Sequence, residues 1–233
     1  IIRSNLNNTN FNFAHLYNVD IRGIDLYNTN LYGIRLGGIY MENIDLINIK
    51  LSNANLSNTN FSHSNLHGAN LSDANLSKTN FTRSKLNSSN LSNANMSKAI
   101  LAYANLSYAD LSLVNLSNAI LGGTNLSYAN LVDSNLSSSR IMFTKFNKAC
   151  MVGADLHSSD LYESHLLDTD LRWSNLQSAS FRKANIKNTN MSFSNLDDAD
   201  MSNAVIVDTK LDYSSMVGTD LSEINIDKID VFF

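Results

Sequence analysis

A hydrophobic residue stands at every fifth position of this chain. From Ile1, Leu6, Phe11 and Leu16 to Ile226 and Val231, all 47 such positions hold Leu, Ile, Phe, Met or Val, so the register never slips. Two residues before each of these centres stands a small or β-branched residue. Ser4, Thr9, Ala14 and their successors to Ile229 are Ala, Ser, Thr, Val or Ile without exception. The residue between the two is Asn or Asp at 31 of 46 positions, which marks it as a turn-forming site and not a core one.

A period of five fits neither regular structure. On an α-helix five residues turn through roughly 500°, so the apolar positions would wander round every face. On one long strand an odd period would put successive centres on opposite faces. The chain must therefore bend once in each repeat. Within each short extended piece the centre and the residue two before it point to the same side. Both are apolar or small, so they form the interior, and the other three positions face outward. The intervening Asn or Asp sits beside the bend, where its short side chain bonds nearby backbone and tolerates unusual dihedrals. A chain bending the same way every five residues winds into a tube, its coils stacked about 4.8 Å apart by backbone hydrogen bonds.

The motif reads Ala69-Asn70-Leu71-Ser72-Asp73 and Ala74-Asn75-Leu76-Ser77-Lys78. It resembles the pentapeptide-repeat family, and the resemblance covers the whole chain. It implies an all-β fold, a right-handed quadrilateral parallel β-helix (a solenoid) with four pentapeptide repeats per coil. Residues 1–233 then form a single domain of about 12 coils, a rod of roughly 55 Å at the strand spacing above. The hexapeptide β-helix, with a period of six and the opposite hand, loses the apolar register at once.

Composition narrows the reading further. Charged residues are only 16% and proline is absent, so Asn, Asp, Ser and the nine glycines must make the turns. No apolar stretch is long enough to cross a membrane, and no basic, apolar leader opens the chain. The first residue is Ile1 and not Met, as expected of a trimmed chain or a fragment. Cys150 is the single cysteine, so no intrachain disulfide forms. The sequons at Asn55, Asn70, Asn75 and Asn90 follow from the repeat, and a eukaryotic secretory route would coat them with sugar. The expected location is the bacterial cytoplasm, or outside the cell without a cleavable signal if the rod belongs to an effector.

Catalytic groupings are not apparent. His15, His63, His67, His157 and His165 fall in different columns or distant coils, and Cys150 has no His beside it. Gly37-Gly38 and Gly122-Gly123 lack the helix and Lys of a phosphate loop. A rod packed inside, without long loops, is expected to offer no cleft, no cofactor, no metal and no catalysis.

With four repeats per coil, residues 20 apart stack in columns, and the sequence becomes a surface map. Asn55, Asn75, Asn95, Asn115 and Asn135 share a column, expected to be a ladder of amides. Trp173, Phe193 and Tyr213 occupy another in three successive coils, with Phe13 far along the same line. They lie two after the centre, pointing to solvent. Adjacent exposed aromatics make an apolar ridge of the kind partners use; the structural counterpart is rings folded down for local packing. Ile100 and Ile120, standing where Asn is usual, and the pair Tyr108 and Tyr128 are further candidates. Residues 1–150 carry seven acids and eleven bases, whereas residues 151–233 carry fourteen acids and six bases. Asp160, Asp197, Asp198, Asp200, Asp208, Asp212, Asp220 and Glu223 form a candidate acidic patch, with Asp160, Asp200 and Asp220 in one column interrupted by Ser180.

The expected function is a non-catalytic interaction or scaffold module whose partner is another protein. Exposed coil edges also open end-to-end or side-by-side self-association, and Phe232-Phe233 are expected to plug the tube or to belong to a junction. The resemblance implies an alternative. Some family members imitate DNA in width and acidity, bind type II topoisomerases such as gyrase, and protect them. The last 83 residues span roughly 20 Å, where DNA would carry about 12 charges, against a net of −8 here, so only that third approaches a duplex electrostatically. The loops and C-terminal helical dimer motif of the topoisomerase-protecting relatives have no counterpart in this sequence. Arg3, Arg22, Arg35, Lys50 and Arg83 form no stripe, so direct nucleic-acid binding is not expected.

Overall fold

A computed structural model describes residues 6, 8–16 and 29–230; Arg3, Arg22 and Phe232-Phe233 lie outside them. Parallel bridges join residues 20 apart from Asn10 and Asn30 to Asp200 and Asp220. One coil therefore holds four repeats, and the chain winds as a right-handed β-helix. From Leu31 to Leu211 every centre is buried, and so is every residue two before it from Thr29 to Thr209. Aromatic centres stack along the axis, as Phe61 and Phe81 do with ring centroids 5.4 Å apart. Burying each Leu or Phe is worth about 1.5–3 kcal/mol, and the column of such residues is the main force holding the rod together.

The small inward position is satisfied in two ways. Thr hydroxyls reach back to the preceding coil, as Thr79 Oγ1 donates to the Leu56 carbonyl at 3.0 Å and Thr144 Oγ1 to Leu121 at 2.8 Å. Ser hydroxyls usually close their own turn instead, as Ser84 Oγ donates to Phe81 at 2.7 Å and Ser89 Oγ to Leu86 at 2.6 Å. Ser164 Oγ alone among the described buried side-chain polar atoms has no partner.

Each bend is a β-turn that begins at the centre. The amide three residues on donates to the centre's carbonyl, as Ala54 does to Leu51 at 3.1 Å. The residue two after the centre is left-handed, for example Asn53 (φ 57), Tyr103 (φ 59) and Trp173 (φ 62), as a type II turn demands of its third residue. This corrects one expectation. The Asn or Asp before the centre does not carry the unusual dihedral; it stabilises the turn by accepting a bond. Asn75 Oδ1 takes the Ser77 amide at 3.2 Å and Asp110 Oδ1 the Ser112 amide at 3.1 Å. The amide ladder is present but secondary: Asn75 Nδ2 donates to Asn55 Oδ1 at 3.4 Å and Asn115 Nδ2 to Asn95 Oδ1 at 3.5 Å. Asn135 Oδ1 instead takes the Ser137 hydroxyl at 2.7 Å.

One wall changes character from His165 onward. β1 (His165–Leu167), β2 (Asn185–Lys187), β3 (Val205–Lys210) and β4 (Asn225–Asp230) form a parallel sheet in that order, with paired residues 20 apart. Where the preceding coil makes a tight turn, with Ala149 N donating to Phe146 at 2.8 Å, β1 and β2 extend one residue past the centre before the left-handed corners at Asp168 and Asn188. The position after the centre, often Ser elsewhere, holds Leu167, Lys187 and Val207 in β1 to β3. Only Val207 of the three is β-branched, and Val132 and Val152 stand at the same position in ordinary turns, so strand propensity does not cause the change.

Candidate interaction surfaces on the rod

The three aromatic candidates are brought together. Trp173 stacks on Phe193 with centroids 4.3 Å apart and planes 6° from parallel, and Phe193 stacks on Tyr213 at 5.1 Å and 14°. The turn beneath each ring is held twice at the centre's carbonyl. Ser174, Ser194 and Ser214 donate their amides to Leu171, Met191 and Leu211 at 3.3, 3.2 and 3.1 Å. Their hydroxyls reach the same carbonyls at 2.6, 2.6 and 2.7 Å. The Trp173 amide donates to Ser192 of the next coil at 3.2 Å, and that of Phe193 to Asp212 at 2.8 Å. Backbone geometry thus holds the rings in line. They stack on one another instead of lying flat on the wall, and their edges stay exposed: Trp173 61%, Phe193 41%, Tyr213 62%.

Other corner aromatics also meet partners within the chain and stay exposed, Tyr103 at 66% and Tyr108 at 61%. Tyr108 stacks on Tyr128 at 4.7 Å, and the Lys148 ammonium lies 5.5 Å from the Tyr128 ring centroid. The Arg83 guanidinium lies 5.8 Å from the Tyr103 ring. Phe13 meets Tyr32 edge-on at 5.3 Å. Ile100 and Ile120 are bridge partners, each a little over a third exposed, and make only a small apolar step in an otherwise polar column.

The acidic candidates share the C-terminal coils, but most of their carboxylates are engaged. Asp160, Ser180, Asp200 and Asp220 stand in successive bridges of one column. Asp160, Asp200 and Asp220 each accept a backbone amide, from Tyr162, Ser202 and Ser222 at 3.1, 3.0 and 2.9 Å. Asp200 also lies 3.7 Å from Arg182. Asp197 accepts the Ser215 hydroxyl at 2.5 Å and the Val217 amide at 2.8 Å. Asp208 and Asp212 also have partners. Asp198 leans over Gly218, and Glu223 is exposed at a left-handed corner. The backbone hydrogen bond from Ser222, with that residue's hydroxyl, holds the Asp220 carboxyl below its ordinary range. Burial works to raise Asp170, but hydrogen bonds from Arg172 and that residue's charge outweigh it and lower the carboxyl overall. The Arg172 guanidinium sits 2.7 Å from it.

Among the described residues no three His, Cys, Asp or Glu side chains gather at one point, and no helix is long and apolar enough to cross a membrane. The wall is not featureless, however. A groove of about 280 Å³ opens between Lys145, Asn147, His165, Leu167 and Asn185, where the tight turn gives way to β1. It is an open step in the wall and not an enclosed cleft.

The sequence matches the family model of pentapeptide repeats, in 8 copies over residues 2–33, 39–77, 79–118, 119–157, 154–192 and 187–223. Among solved structures it is similar to HetL, a pentapeptide repeat protein involved in heterocyst differentiation regulation from the cyanobacterium Nostoc sp. strain PCC 7120. That likeness has 26% identity, 86% of this chain and 90% of HetL covered, and a TM-score of 0.61. It also shares its fold with trypsin-treated QnrB1, a plasmid-mediated fluoroquinolone resistance protein, at 21% identity, 86% and 91% coverage and a TM-score of 0.53. No curated protein matches the sequence.

Proposed function

The chain belongs to the pentapeptide-repeat family, and on that premise we propose that it is a non-catalytic scaffold that binds another protein through the ladder Trp173, Phe193 and Tyr213. The observation that carries this reading is continuity. Trp173, Phe193 and Tyr213 stack over three successive coils into one ridge, whereas the other stacked or edge-on corner rings of the described residues come in pairs, as Tyr108 and Tyr128 do. The ridge keeps a Trp and a Tyr at about 60% exposure. Trp and Tyr are the side chains that dominate binding energy at protein interfaces, because each offers a rigid apolar body with one polar handle. The test is affinity capture from the source organism with the parent and with a Trp173→Asn, Phe193→Asn variant. A protein retained by the parent and lost by the folded variant is the expected result. An identical set of captured proteins would overturn the reading.

A second reading, DNA mimicry toward a type II topoisomerase, is favoured by the acidic column Asp160, Asp200 and Asp220 with Asp197, Asp198, Asp208, Asp212 and Glu223 around it. Its weakness is that many of these carboxylates already accept hydrogen bonds in their own chain. A gyrase supercoiling assay with a quinolone, titrated with this protein, separates the two. Protection that disappears in added salt supports mimicry, as counterion release requires; no effect at any concentration removes it.

A further inference from the structure

We propose that the groove between Lys145 and Asn185 is a binding site for a small organic anion, a phosphate ester or carboxylate carried on an apolar body. The groove exists because the wall changes pitch. The coil through Phe146 turns tightly, with Ala149 N bonded to Phe146 O, whereas the next coil runs extended as β1, carrying Leu167 outward. A step of about 280 Å³ is left between them. Leu167 forms its apolar wall and is held by its amide, which donates to Asn147 Oδ1 at 3.3 Å.

The same change frees polar groups. In the regular coils the Asn before the centre spends its side-chain oxygen on the amide two residues on, as Asn125 does with Ser127 at 3.1 Å. Asn185, at the start of β2, makes no such bond: its strand extends through Lys187 before the corner at Asn188. Among the described residues the side chains of Lys145, His165 and Asn185 have no hydrogen-bonding or ionic partner in the fold. They are consecutive in one column, Lys145 bridged to His165 and His165 paired with Asn185. A cation, an imidazole and an amide therefore line one side of the step, facing outward with nothing of their own to bind.

Charge selects the ligand. The groove columns run Asn125, Lys145, His165, Asn185, Val205 and Ser127, Asn147, Leu167, Lys187, Val207, so neither contains an acid within reach. Yet the groove borders the acidic residues 151–233. The nearest corner acid, Asp168, already accepts from Asn188 Nδ2 at 3.0 Å. An oxyanion would find donors from Lys145, His165 and Asn185, with Lys187 next along from Leu167; charge-assisted bonds of this type are the strong ones. A cation would find no carboxylate in the lining and would meet the Lys145 ammonium.

The test is a titration followed by NMR, reading the Leu167 amide and the His165 ring, with phenyl phosphate, benzoate and inorganic phosphate as probes. Phenyl phosphate or benzoate is expected to give saturable shifts with half-saturation at about 1 mM or below, a range suited to a few contacts in an open groove. Whichever binds tighter identifies the oxyanion, and inorganic phosphate is expected to bind more weakly than phenyl phosphate because it cannot use Leu167. Lys145→Gln should raise half-saturation at least tenfold, while Lys98→Gln, on another column, should leave it unchanged. Shifts that never saturate with any probe, or that saturate equally in Lys145→Gln, would overturn the site. Because the ladder lies on a different column, loss of the protein partner in the ladder variant would not affect this result.

Discussion

Replacing Trp173 with Asn separates a ladder kept for binding from a ladder kept for stability. The backbone at this position is left-handed, with φ 62, a conformation that costs most L-residues about 1–2 kcal/mol but that Asn adopts readily. The substitution therefore relieves roughly 1 kcal/mol of backbone strain. Against this it removes one ring stack, that on Phe193 at 4.3 Å, worth about 0.5–1.5 kcal/mol. Little further burial is lost, because Trp173 is 61% exposed. The two effects nearly cancel, and the guanidinium midpoint, followed by circular dichroism, should correspond to a change within about 1 kcal/mol. Phe193→Asn gains the same relief but loses two stacks and a ring only 41% exposed, so it should be destabilised by about 1–2 kcal/mol. Binding should respond oppositely in scale, with Trp173→Asn weakening the captured partner by about 30-fold, the loss expected at an interface hot spot. A stability loss above about 2 kcal/mol for Trp173→Asn, or equal losses at both positions, would refute the cancellation and make the ladder a structural staple.

Further perturbations test the fold itself. Ser164→Thr should stabilise by about 1 kcal/mol, read as a higher denaturation midpoint, because Thr at this position donates to the carbonyl of the preceding coil while Ser164 Oγ now has no partner. Gly38→Ala and Gly153→Ala both place a side chain at positive φ, but only the second sets a Cβ 2.2 Å from Asp133 Oδ1. The first should cost about 1 kcal/mol and the second about 2, and Asp133→Ser should erase the difference. Phe81→Ala should cost about 3–5 kcal/mol, since the ring is fully buried and stacked on Phe61. Asp170 is lowered in the fold, so its stabilisation is complete above the ordinary carboxyl range and is lost as acidification passes through the lower folded value. Arg172→Gln should flatten the acid limb of a stability-versus-pH curve.

The repeat was legible from sequence because burial enforces it. Every centre must face inward, so the fivefold pattern and the inward partner two residues before it could be read without a structure, and the columns followed once four repeats were assigned to a coil. The Trp173, Phe193, Tyr213 alignment and the Asp160, Asp200, Asp220 column were both visible in this way. What stayed hidden was local backbone choice. The left-handed residue carries Asn, Lys, Tyr, Trp or Gly with little preference, so composition pointed to the Asn before the centre, where the turn's hydrogen bond is and its strain is not. The opening of the turn at β1 leaves the fivefold period untouched. Leu167, Lys187 and Val207 in place of Ser do not announce it, since Val132 and Val152 hold the same position in ordinary turns, and the groove came with it unseen.

The corner positions show why the outer surface must be read along columns and not along the chain. A side chain at a left-handed corner leans toward the coil that follows. Phe13 lies over Gly33, Asn48 over Gly68, Tyr103 over Gly123, Asp133 over Gly153 and Asp198 over Gly218, each within the space a Cβ would fill. Five glycines thus answer residues 20 earlier, each leaving the space of a Cβ to the outer side chain of the preceding coil. Within the ladder no glycine follows Trp173 or Phe193, so each of these two rings stacks on the ring that follows. The rule that lets Tyr103 lie over Gly123 thus leaves Trp173 resting on Phe193, and it makes the ladder a property of successive coils together. Phe193→Gly should therefore change Trp173 more than any substitution on its own coil: the indole loses the ring it stacks on and comes to lie over the glycine, as exposed as Tyr103 is over Gly123, and its fluorescence emission should shift to the red. An unchanged spectrum would show that the ring stands out from the wall without support from the next coil.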